Sequence, residues 1–121
     1  MEDDISDVIS ERRLSLARDD GSIASIIVRI GRPLCVAGPE VYRCHFQFLG
    51  FDNNKIRYAE GDDSMQALIL ALTKIASHLY TSAEFRSMRL TLDGQCNLGF
   101  PLFVSDHQST LFPDPIGLLL M

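Results

Sequence analysis

From Val41 to Leu49 apolar and polar residues alternate strictly: Tyr42, Cys44, Phe46 and Phe48 fall on one side, and Arg43, His45 and Gln47 on the other. This period of two predicts a strand with one buried face. The same alternation over Ile23 to Ile30 groups Ile26, Val28 and Ile30 and turns Ile27 and Arg29 the other way. Gly31-Arg32-Pro33 removes a ladder donor and is expected to end that strand. Before it, Arg13 to Arg18 places Leu14 and Leu16 on one face, and Asp19-Asp20-Gly21-Ser22 supplies the residues of a tight hairpin turn. After the turn-rich Gly50-Phe51-Asp52-Asn53-Asn54, Lys55 to Ala59 sets Ile56 and Tyr58 against Arg57, which reads as a second hairpin.

The period then changes. Met65, Leu68, Leu72, Ile75 and Leu79 recur at spacings of three and four, with Ala71 and Ala76 between them, so the spacing predicts an amphipathic helix over about Ser64 to Tyr80. Asp63 with Gln66 three residues on reads as a capping box. Ser87 to Leu92 alternates again, with Met88, Leu90 and Leu92 against Arg89 and Thr91. The expected fold is therefore α+β: an antiparallel sheet of about five strands in the order β-β-β-β-α-β, with the helix packed on one face. Past Leu98 no period is sustained, and an irregular C-terminal tail is expected.

Length and charge divide the chain further. Its 121 residues suit one domain. Five of the sixteen acids, Glu2, Asp3, Asp4, Asp7 and Glu11, precede the first basic residue, and the remaining eleven acids face eleven bases. The reading is an acidic, flexible arm over 1–11, a near-neutral domain over 12–101 and an apolar, Pro-containing tail over 102–121. In the tail, Leu118, Leu119, Leu120 and Met121 are expected to dock on the core or to form a homodimer contact. No apolar run approaches the roughly 20 residues of a membrane span and no signal segment is visible, so a cytoplasmic setting without a membrane partner is expected. Three cysteines without CxxC spacing fit reduced thiols rather than a disulfide framework.

Residue types that carry chemistry are sparse. Cys44 and His45 are neighbours on a strand and so point to opposite faces, while His78 and His107 lack partners at ligand spacing. Glu60-Gly61-Asp62-Asp63 opens the predicted helix, where carboxylates stabilise free N–H groups. No enzyme, metal or cofactor motif is found, and the expectation is a protein that is not an enzyme and needs no cofactor. What remains is a set of residues opposite the apolar rows, Arg13, Arg29, Arg43, His45, Gln47, Arg57 and Arg89. Together they form a candidate partner-binding sheet face able to grip carboxylates or phosphates. With Tyr42, Phe46, Phe48 and Tyr58 assigned to the inward rows, no stacking platform is left for nucleic acid. An acidic protein, or the chain's own first eleven residues, suits the face better.

Val28-Arg29-Ile30-Gly31-Arg32-Pro33, the helix start Asp63-Ser64-Met65-Gln66-Ala67-Leu68-Ile69-Leu70-Ala71-Leu72 and the closing Gly99-Phe100-Pro101 resemble the motifs of a small uncharacterised bacterial domain family, over roughly Arg12 to Pro101. The resemblance implies a stand-alone cytoplasmic domain in a bacterium and transfers no functional residues. Domains of this kind are similar to immunity proteins, which makes a protein that neutralises a cognate toxin the leading expectation. The alternatives are a regulatory or chaperone-like adaptor dimerising through the tail, and an enzyme that binds a phosphorylated ligand on the arginine face.

Overall fold

The structure, a computed structural model, describes Ile5 and residues 7–38 and 40–101. The expectations for Glu2, Asp3, Asp4, His107 and the terminal Leu118, Leu119, Leu120 and Met121 lie outside the described residues. Six strands and one long helix follow in the order β1 (Val8–Ala17), β2 (Ile23–Gly31), β3 (Leu34–Ala37), β4 (Val41–Leu49), β5 (Ile56–Gly61), α1 (Ser64–Tyr80), α2 (Ala83–Arg86) and β6 (Leu90–Thr91). All pairings are antiparallel. The α+β class, the sheet and the packed helix are as the sequence predicts.

β4 is the pivot of the sheet. Phe46 lies opposite both Ile30 of β2 and Arg57 of β5, and Tyr42 opposite both Cys35 of β3 and Gly61 of β5. β2 and β3 therefore run along the same side of β4 and β5 along the other. From Ile30 to Leu34 one side advances four residues while the other, Phe46 to Arg43, advances three. The extra residue is taken up at Arg32-Pro33, where proline cannot donate to the ladder. The segment expected to end the strand is thus an interruption, and β3 resumes the same edge. Strand β1 begins at Val8, so part of the stretch read as an arm belongs to the sheet.

Helix α1 has the bounds that its apolar spacing predicts, because both ends are fixed locally: at the C-terminus the Thr81 N–H and hydroxyl both donate to the Ser77 carbonyl, at 3.1 and 2.6 Å. The Asp63 carboxylate accepts from the Gln66 N–H at 2.7 Å, and the Gln66 amide oxygen accepts from the Asp62 N–H at 2.6 Å. The buried face, however, is Ala67, Ala71, Ile75, Ala76, Leu79 and Tyr80. Leu68 and Leu72 lie at its margin, and Met65, expected inside, is 68% exposed. Small residues at the centre let the helix lie close on the sheet. A Cβ on Gly61 would stand 2.6 Å from the Ala67 nitrogen and 2.9 Å from the Gln66 carbonyl carbon. Beneath the helix the core is filled by Leu14, Ile26, Val28, Ile30, Cys44, Phe46, Phe48 and Ala59.

The return to the sheet is shorter than expected. Ser82 caps α2 by accepting from the Phe85 N–H at 3.1 Å, so Ser87 and Met88 close a helical turn and only Leu90 and Thr91 pair with β1. Met88, assigned inward by alternation, is exposed. The segment after β6 then seals the core with Leu98 and Phe100. Arg12 fixes it: its Nη1 donates to the carbonyls of Leu98 and Gly99 at 3.2 and 2.7 Å, and its guanidinium lies 4.9 Å from the centre of the Phe100 ring. The Leu98 N–H donates to the Tyr80 hydroxyl at 3.1 Å. No helix among the described residues is long and apolar enough to cross a membrane.

Two outcomes are expected. Gly61→Ala forces backbone atoms apart at the helix start and should cost about 2 kcal/mol, read as a lower urea midpoint; an unchanged midpoint would show that α1 can move outward freely. In native protein Cys35 and Cys96 should react with a maleimide while Cys44, wholly buried, reacts only on unfolding. Burial pushes the Cys44 thiol up to about 11 from 9.0 and raises Tyr80 as well. The unfolded chain therefore ionises first as pH rises, and stability should hold below about pH 9 and fall through pH 11. Denaturation midpoints across that range measure it.

Candidate functional site

On an antiparallel sheet directly opposite residues share a face, so the pairing register assigns every candidate. Arg43 lies opposite Glu60, His45 opposite Tyr58, Gln47 opposite Ile56 and Arg29, and Glu11 opposite Arg29. These residues, with Arg13, form the sheet face away from α1. The structure brings Arg29, Arg43, His45 and Gln47 together there. It corrects the β5 assignment: Ile56 and Tyr58 point outward, and Arg57, opposite Phe46, points to the helix side. Arg89 stands beside β1 at the far edge, where it meets Asp19 at 3.4 Å and the Ser87 hydroxyl at 2.9 Å.

The outer face is not a field of unopposed positive charge. Arg29 meets Glu11 at 2.7 Å and Arg43 meets Glu60 at 2.6 Å, each pair formed across neighbouring strands. Glu11 and Asp7, which pairs with Arg32 at 2.6 Å, belong to the acidic N-terminal stretch. Pairs this exposed contribute about 0–1 kcal/mol each; their effect is to fix side chains and balance charge. Gln47 is buried, with its amide nitrogen donating to the Asn54 carbonyl at 2.8 Å, so it supports the hairpin from below the surface.

Tyr58 occupies the middle of this arrangement and is 45% exposed. The Arg43 guanidinium lies 4.2 Å from its ring centre, and the His45 ring meets it edge-on at 5.9 Å. Burial, then the charge of Arg43, holds His45 below the usual imidazole range, which favours the neutral ring beside the guanidinium. Alternation alone placed Tyr58 inside; the signal that could have placed it outside is Ala59, a small residue suited to the crowded ground under the helix.

Arg57 belongs to a second cluster, on the helix side. Asp52 reaches it from the turn between β4 and β5 and forms an ion pair with its guanidinium. That turn holds Asp52, Asn53 and Asn54 at φ of 56°, 61° and 58°, a left-handed run that costs about 1 kcal/mol or more per residue without glycine. Side chains hold it: the Asn54 amide oxygen accepts from the Gly50 N–H at 2.7 Å, Gln47 holds the Asn54 carbonyl, and His78 Nε2 approaches Asp52 at 3.5 Å. His78 stacks on Phe48 at 4.7 Å, and burial, then Arg57, lowers its pKa against an opposing pull from Glu84. Lys74, one helical turn earlier, donates to the Tyr58 carbonyl at 3.1 Å. A cavity of about 390 Å³ opens here, lined by Phe46, Arg57, Tyr58, Lys74, Ser77, His78 and Thr81. Sequence reasoning missed Asp52, Lys74 and His78 as a group; the only trace was the four-residue spacing of Lys74 and His78 along the helix.

Among the described residues, no three His, Cys, Asp or Glu side chains come together as metal ligands. The motifs that carried the family resemblance occupy points of the fold. Gly31-Arg32-Pro33 sits at the interruption between β2 and β3, Asp63 and Gln66 cap α1, and Ala67 lies against Gly61. Gly99, at φ 79°, leaves room for Arg12, whose Nη1 would stand 2.6 Å from a Cβ there. No curated protein and no solved structure matches the chain. The model of a domain of unknown function, DUF6968, matches residues 10–102, and the chain belongs to that family.

Proposed function

We propose that this domain acts by binding a protein partner rather than by catalysis, through the outer face of β4 and β5 with Tyr58 as the anchor. The observation that carries the reading is the exposed Tyr58 ring held between Arg43 and His45, with Arg43 itself held by Glu60. Tyr and Arg are the residue types that concentrate binding energy at interfaces. A ring already fixed by its neighbours loses little conformational freedom when it docks. The surrounding ion pairs make the surface mixed in charge, suited to a partner with matching alternation rather than to a uniformly acidic one. In its most concrete form the partner is a toxin, and the domain is an immunity protein that neutralises it in the bacterial cytoplasm. The resemblance to small bacterial domains of that class supports this form.

The test uses the full chain as bait and recovers stoichiometric partners at low and moderate salt. Tyr58→Ala should weaken the recovered complex by about 2 kcal/mol, roughly 30-fold in Kd, while Arg18→Ala, on the hairpin away from the anchor, leaves it unchanged. Recovery of no stoichiometric partner, or equal affinity for wild type and Tyr58→Ala, would overturn the reading. For the immunity form, the partner expressed alone should arrest growth and co-expression of the domain should restore it; a harmless partner rejects that form.

A further inference from the structure

We infer that the cavity between β5 and α1 is a binding site for a small phosphate-class oxyanion, independent of the outer face and of the partner proposed for it. The local charge is the first reason. Arg57 and Lys74 bring two permanent positive charges to the recess, and among the described residues the carboxylate paired with Arg57 is that of Asp52, reaching in from the neighbouring turn. That balance favours an anion and disfavours a metal ion, which would need several carboxylates where the site offers one. The second reason is donor supply. Arg57 Nε–H is buried and has no acceptor among the described residues, an unfavourable arrangement that an arriving acceptor would relieve. Lys74 spends one of its three N–H groups on the Tyr58 carbonyl. Hydroxyl-bearing Ser77 and Thr81 complete the helix wall one turn apart.

The strained turn supplies the third reason. Asp52 stands in the left-handed region and is held onto Arg57 and His78 by a loop fastened through Gln47 and Gly50. Its carboxylate occupies the guanidinium as an oxyanion ligand would, so it acts as a resident competitor that keeps the arginine positioned. A ligand with two or three oxygens can share Arg57 with Asp52 or replace it, and reaches Lys74 at the same time. The size of the recess, about 390 Å³, falls in the range of small-ligand pockets and accommodates a phosphate with a small organic group attached.

Titration calorimetry on the full chain, with inorganic phosphate, a sugar phosphate and a nucleoside monophosphate as separate probes and chloride at matched ionic strength as control, tests the site. At least one phosphate-bearing probe should bind one-to-one with a Kd of about 1 mM or tighter. Tighter binding of an ester than of inorganic phosphate identifies a phosphomonoester as the ligand; equal binding identifies the bare oxyanion. Lys74→Gln, on the exposed side of the helix, should weaken binding about tenfold without altering the fold. Asp52→Asn, which keeps a residue tolerant of the left-handed turn but removes the competing charge, should strengthen it severalfold. A purely structural role for Asp52 gives no such gain. Heats indistinguishable from chloride for all three probes at about 10 mM, or binding unmoved by both substitutions, would overturn the assignment.

Discussion

The distance between α1 and the sheet is set by alanine. Ala67, Ala71 and Ala76 are wholly buried where the helix lies on β4 and β5, and Gly61 gives way where the helix begins. A face of leucines would hold the layers farther apart; here Ile75 and Leu79 are the large residues at the centre, and burying each contributes about 1.5–3 kcal/mol. The flanks follow from this closeness. On one side Leu68 and Leu72 lean against the edge of the core. On the other, Lys74 and His78 come down beside β5, so a polar residue on the inner row of that strand meets polar residues of the helix. The cavity at Arg57 is thus a consequence of a helix packed low on a strand whose inner row begins with arginine.

The second constraint is the register of β5, and the turn before it decides that register. A slip of one residue would send Tyr58 and Ile56 inward and Arg57 outward, the arrangement that hydrophobicity alone favours. The left-handed run Asp52–Asn54 instead delivers Arg57 opposite Phe46 and Ala59 opposite Cys44. Asparagine and aspartate enter this region at lower cost than other residues with a Cβ, so the sequence Asp52-Asn53-Asn54 permits what the hydrogen bonds from Gln47 and to Gly50 then secure. With that one choice made, the outer face acquires an exposed tyrosine between a guanidinium and an imidazole, and the inner face acquires a cation beside the helix.

Much of this fold is legible in the sequence where side-chain period and local chemistry agree. Strands β2 and β4 alternate cleanly, and α1 is marked by both a cap and a 3.6-residue stripe, so its limits can be read from the residues. Legibility fails where a few residues decide. β3 is four residues long and lies beyond a proline that normally closes a strand. α2 is a single turn whose capping Ser82 precedes no apolar run. β5 has hydrophobic residues at both parities, Ile56 and Tyr58 against Ala59, and the larger pair suggests the wrong face. The candidate site divides in the same way: Arg43 and His45 are visible as outward residues of β4, whereas Tyr58, Asp52 and the group around Arg57 meet only because of pairing between strands.

The family motifs and the candidate sites therefore sit in different places for a physical reason. Gly31-Arg32-Pro33, Asp63 with Gln66 and Ala67, and Gly99-Phe100-Pro101 each solve a local problem of backbone: an extra residue in a ladder, open N–H groups at a helix start, a guanidinium that needs space. Such solutions are short in sequence and leave a motif. The two clusters on β5 are assembled instead by one turn that is fastened from both faces of the sheet. Gln47, on the outer row, holds the Asn54 carbonyl, and Arg57 and His78, on the helix side, hold Asp52. A strain on either fastening is felt by the same three residues, so the register that exposes Tyr58 and the ion pair that positions Arg57 are properties of a single structural element.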